Sequence, residues 1–108
     1  MRELALIYER LCRIELDLGH LASAREVCVK SFELRRVRAE AEPGSAEAKR
    51  NLVVAHELFG DVCLQSGDLS TAQEHYATFL ELASSLAEAD PDDVQKQLDL
   101  LTAYERVK

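Results

Sequence analysis

The chain has 108 residues, 13 Lys plus Arg against 20 Asp plus Glu, a net charge of −7 and 47% apolar residues. That is enough for one globular domain spanning residues 1–108 with its own core, and it excludes collagen-like and disordered compositions. The acidic balance disfavours nucleic acid and anionic membrane surfaces, because both are bound by neutralising phosphates with Lys and Arg.

Ala, Leu, Glu, Arg, Lys and Gln dominate and no run of alternating β-branched residues occurs, so the expected class is all-α. A first helix is expected over about 2–17, with Leu4, Ile7, Leu11, Ile14 and Leu18 at steps of three and four. Leu18-Gly19-His20-Leu21 then places a glycine where a left-handed residue closes a helix, and Ser23 is a weak cap for the next one. The second helix, about 22–41, carries Ala24, Cys28, Phe32 and Ala39, and it ends before Glu42-Pro43-Gly44-Ser45. Arg35, Arg36 and Arg38 near its end, with Lys49 and Arg50, read as solvated charge complementing a helix C-terminus. Ser45 caps a third helix, about 46–65, striped by Leu52, Ala55, Phe59, Val62 and Cys63. After Ser66-Gly67-Asp68-Leu69, with Asp68 or Ser70 as cap, comes a fourth helix over about 70–89 bearing Ala72, Tyr76, Phe79, Leu80, Ala83 and Ala87. Asp90-Pro91-Asp92-Asp93 introduces a fifth, about 93–107, with Gln95, Lys96, Asp99, Glu105 and Arg106 as a polar outer face. The apolar stripes are the expected buried faces, and the small Ala24 and Ala72 allow close helix approach.

The chain also echoes itself. A shift of 48 aligns Leu4 with Leu52 and Leu100, and Glu9 with Glu57 and Glu105. It also pairs Leu16, Gly19, Leu21, Ala24 and Pro43 with Leu64, Gly67, Leu69, Ala72 and Pro91. The echo divides the chain into two full units, about 2–45 and 46–92, with residues 93–107 as the first helix of a third unit or a cap.

The order Phe59-Gly60, Cys63, Gly67, Leu69, Ala72, Tyr76 looks like a tetratricopeptide repeat. The first unit holds Leu11-Cys12, Gly19, Leu21, Ala24 and Cys28 at those places, with Cys12 where the glycine is expected. A 48-residue unit, against 34 in the family, resembles the long-helix variant of bacterial signalling proteins. The resemblance implies antiparallel helical hairpins stacked as a right-handed α-solenoid, with a concave wall lined by the first helix of each unit. The wall residues it implies are Leu6, Glu9, Arg13, Leu16 and Asp17, then Val54, Glu57, Asp61, Leu64 and Gln65, then Thr102 and Glu105. Glu9, Glu57 and Glu105 would form an acidic ladder there, unless Glu9 is taken up by Arg13 one turn away. Acids at these places disfavour capture of a peptide carboxylate and favour a basic or amphipathic segment of another protein.

The expected function is a protein-interaction scaffold in a cytoplasmic, bacterial regulatory protein, with no cofactor and no metal. Its alternatives are self-association into a homo-oligomer through exposed ends of the array, and a sensor domain for a small effector. Enzyme chemistry is not expected. His56 and Cys63 are two turns apart, too far for a nucleophile and its base, and His56 stands where Tyr8 and Tyr104 stand in the other units. No metal-ligand spacing, P-loop or dinucleotide glycine pattern occurs. Cys12, Cys28 and Cys63 form no CxxC pair and read as free thiols in a reducing compartment. No apolar run reaches the roughly 20 residues of a membrane span, and no secretory leader is expected at Met1.

Overall fold

Four loop sequences cut the chain into helices, each by identifiable means. The computed structural model describes residues 2–107, the side chain of Arg2 excepted. They form α1 (Arg2–Asp17), α2 (Leu21–Ala41), α3 (Ala46–Gln65), α4 (Leu69–Ala89) and α5 (Val94–Val107), with no strand among the described residues. Gly19 and Gly67 take φ of +76° and +82°. That conformation lets the His20 N–H reach the Glu15 carbonyl at 2.8 Å and the Asp68 N–H reach that of Cys63 at 2.9 Å, a Schellman closure in both units. Ser45 Oγ accepts the Ala48 N–H at 3.0 Å. Asp68 Oδ1 accepts that of Thr71 at 3.3 Å, and Asp93 Oδ1 that of Lys96 at 3.2 Å. These bonds satisfy donors that the first turns of α3, α4 and α5 leave free. Ser23 plays no such part, since α2 starts after His20 with no side-chain cap.

Each helix packs on the next in chain order. Ion pairs from Arg50 to Asp99 and from Arg106 to Glu57 join α3 to α5. On the other side, Phe32 of α2 meets His75 of α4 edge to face, with ring centroids 5.5 Å apart. Besides the packing of consecutive helices, α3 thus touches α5 and α2 touches α4. The shortest dimension, 21 Å, is the thickness of two helices.

Two core clusters result. Cys12, Leu16, Ala24, Cys28, Leu58 and Val62 form one; Val53, Cys63, Ala72, Tyr76, Phe79, Ala83 and Ala103 form the other. Phe59 packs against both. The 48-residue echo is visible inside them. The Tyr76 ring lies so close over Gly60 that a Cβ added to the glycine would sit 2.5 Å from a ring carbon, and the phenol donates to Asp61 Oδ1 at 2.6 Å. The equivalent positions in the first unit hold Cys12 and Cys28, both buried. The same close helix approach is met once by no side chain beneath a large ring, and once by two side chains of middle size.

Three expectations fail, for one kind of reason. The stripe Leu4, Ile7, Leu11, Ile14, Leu18 is not the buried face of α1: Ile7 is 59% exposed and Leu18 61%. Ala5, Cys12 and Leu16 are buried instead. The matching stripe of α3 (Leu52, Ala55, Phe59, Val62) is half-buried or buried, its Phe59 and Val62 packing in the cluster that holds α2, whereas no described helix precedes α1. The outer face of α5 is mixed rather than polar: Gln95 and Glu105 are exposed as expected, but so are Val94, Leu98, Leu101 and Tyr104, while Lys96, Asp99 and Arg106 turn inward to partners. Arg35 is not solvated charge, being only 8% exposed. It donates to Glu9 of α1, and beside it Ser31 Oγ donates to the Ala5 carbonyl at 3.0 Å. These two polar ties hold α1 to α2.

Candidate functional site

Because α1 and α3 lie side by side with little direct contact, an open cleft of about 250 Å³ remains between them, lined by Arg13, Leu16, Asp17, Leu58, Asp61 and Gln65. Five of these six are residues that the sequence assigns to the binding wall. Helix spacing explains the grouping. Arg13, Leu16 and Asp17 are i, i+3 and i+4 on α1, and Leu58, Asp61 and Gln65 are i, i+3 and i+7 on α3, so each set shares one helix face. Arg13, Asp17 and Gln65 are exposed, and Leu16 forms the floor. Leu58, buried on the α3 side of that floor, escapes notice in the sequence because its counterpart in the first unit is Arg10.

The other expected wall residues are spread around this cleft. Leu6 and Glu105 are exposed, Val54 is half-buried, and the Thr102 hydroxyl donates to the Leu98 carbonyl. Leu64 lines a second opening of about 450 Å³ with Leu69, Ala72, Gln73, Tyr76, Ala77, Arg106 and Val107.

The acidic ladder is largely engaged within the molecule. Glu9 accepts from Arg35 and from Arg13, the latter at 3.4 Å. Glu57 faces Arg106 at 3.2 Å, and Asp61 accepts from both the Tyr76 phenol and Arg106. Burial, with Asp61 adding to it, raises the Glu57 carboxyl above its usual range, and Arg106 opposes them. Burial and the hydrogen bond to Asp61 push the Tyr76 phenol upward. Of the ladder, Glu105 alone is exposed, and Asp17 and Gln65 are the exposed polar groups of the cleft beside Arg13.

A histidine pair sits elsewhere. His56 Nδ1 and His75 Nδ1 are 3.1 Å apart across α3 and α4, within an aromatic cluster in which Phe59 stacks on His75 at 4.4 Å and Phe32 meets His56 edge-on at 4.9 Å. Burial, then the neighbouring His75, lowers His56 to about 4, and burial lowers His75 as well. The pair is a neutral hydrogen-bonded contact in an apolar setting. Among the described residues no group of three or more His, Cys, Asp or Glu side chains could hold a metal ion, and no helix is long and apolar enough to cross a membrane. No protein-family model, curated protein or solved structure matches the chain.

Proposed function

We propose that the chain is a protein-interaction scaffold, a tetratricopeptide-like α-solenoid of stacked helical hairpins from a cytoplasmic signalling protein. On this reading it takes an amphipathic, basic helical segment of another protein along α1, α3 and α5. The observation that carries the reading is the α1–α3 cleft: it gathers Arg13, Leu16, Asp17, Asp61 and Gln65 from separate units into one open groove. Exposed polar groups over a small floor at Leu16 suit the polar side of such a segment. Asp17 and the overall charge of −7 favour a cationic partner.

The test is fluorescence anisotropy with a labelled Leu/Lys amphipathic peptide. Binding should weaken with added salt, and Asp17→Lys combined with Gln65→Lys should weaken it about tenfold or more. Those two positions are exposed, so their replacement leaves the Glu9, Glu57 and Asp61 ion pairs in place. Unchanged affinity in the double variant, or no binding at any salt concentration, overturns the assignment.

A second reading, self-association, is favoured by the apolar outer faces of α1 and α5, where Ile7, Ile14 and Leu18 at one end and Val94, Leu98 and Leu101 at the other are exposed. Sedimentation velocity over a wide concentration range separates the two. A concentration-independent monomer removes the second reading and leaves the groove available.

A further inference from the structure

We propose that Cys12 and Cys28 are a reversible disulfide couple that staples α1 to α2. Both thiols lie in one core cluster, at 0% and 2% exposure, one on each of two packed helices. The second unit measures how near these positions are, since its equivalents, Gly60 and Tyr76, are in direct contact. Two facing thiols thus stand where the other unit brings backbone against ring. The balance of the reaction is the same whichever thiol attacks first, and Cys12, on the helix with the open outer face, is written as the attacking group.

Access depends on the position of α1. Its outer face, with Ile7, Ile14 and Leu18, is open, and α2 supplies most of its packing, so separation of α1 from α2 alone admits a reagent. The reagent is a small-molecule disulfide such as oxidised glutathione. The Cys12 thiolate attacks one of its sulfurs and expels a glutathione thiolate, leaving a mixed disulfide. Cys28, its proton released to solvent, attacks Cys12 Sγ and expels the second glutathione thiolate. Two protein thiols are oxidised, and one oxidised glutathione becomes two reduced molecules. The product closes the Leu18-Gly19-His20 turn into a loop and fixes α1, which carries Arg13 and Asp17. Any effect on ligand binding rests on the proposed function, whereas the cross-link itself does not.

The experiment equilibrates the full chain with oxidised and reduced glutathione, quenches with acid, alkylates under denaturing conditions and reads intact mass. The expected product has lost about 2 Da, the two hydrogens released when a disulfide forms, and keeps one alkylatable thiol of the three cysteines. Trypsin should then release the segments 11–13 and 26–30 joined to each other. Dithiothreitol should reverse the change, and oxidation should raise Tm by roughly 10 °C for so short a closed loop. Cys63→Ala should retain the cross-link, and Cys12→Ala or Cys28→Ala should abolish it. Three alkylatable thiols at every glutathione ratio overturn the proposal, as does a link that maps to Cys63. Because the mapping is made on the unaltered chain, the result stands even where a variant fails to fold.

Discussion

Replacing Gly60 by Ala should change sign according to what stands at position 76. In the native chain the new methyl would lie 2.5, 2.7 and 3.1 Å from three carbons of the Tyr76 ring, and all three distances demand movement. The ring cannot turn freely, because its hydroxyl is held by Asp61 at 2.6 Å. Overpacking of this kind costs about 1–3 kcal/mol, and loosening a hydrogen bond to a carboxylate adds about 1.5 kcal/mol. Ala in place of a helical Gly returns about 1 kcal/mol, so Gly60→Ala should destabilise by about 2 kcal/mol and lower Tm by roughly 8 °C. In a Tyr76→Ala background nothing remains to strike, and the same change should stabilise by up to about 1 kcal/mol. The coupling, about 3 kcal/mol, is far above the few tenths expected of independent sites. Urea unfolding followed by circular dichroism for the four chains measures it. Equal effects of Gly60→Ala in both backgrounds would show that the ring does not set the cost of a side chain at position 60.

Acid should weaken the fold through the histidine pair. The unfolded chain binds a proton at His56 near pH 6.5, whereas the folded chain resists until about pH 4. The contribution is therefore complete above pH 6.5, shrinks as pH falls toward 4, and is gone below that. It amounts to about 1–2 kcal/mol after allowance for the partly solvated rings. Urea midpoints between pH 7 and 5 should fall less steeply for His56→Phe than for the native chain, and parallel slopes would refute this. Arg35→Ala, which leaves Glu9 part-buried with only Arg13 beside it, should cost about 3 kcal/mol. Most of that should return in Glu9→Gln/Arg35→Met, and a single-variant loss under 1 kcal/mol in chemical denaturation would contradict the burial argument.

Much of the helical division is legible in the sequence because its signals are local. Gly19 and Gly67 need the left-handed region, Pro43 and Pro91 come just after helix ends, and Ser45, Asp68 and Asp93 cap. The 48-residue echo also marks positions 12 and 28 as equivalents of 60 and 76 before any contact is seen. What periodicity does not report is which apolar stripe finds a neighbour. In α3 Phe59 and Val62 pack in the cluster that holds α2 residues, while Leu11 and Ile14, their equivalents in α1, are exposed. Charges fail in the same way. Arg35 reads as a surface residue until Glu9, 26 positions earlier, is brought to it, and Arg106 reads as an outer charge until α5 is laid against Glu57 and Asp61. The wall residues share a cleft only on α1 and α3, and α2, not sequence spacing, joins those two helices by packing on both.

Phe59 belongs to both core clusters, so neither unit possesses a complete interior of its own. Heat or urea should not melt one half and spare the other, because disordering either strips that ring of one of the clusters it packs against. The two echoing halves are thermodynamically one body, and the molecule should lose its structure in a single step whose sharpness reflects its whole length.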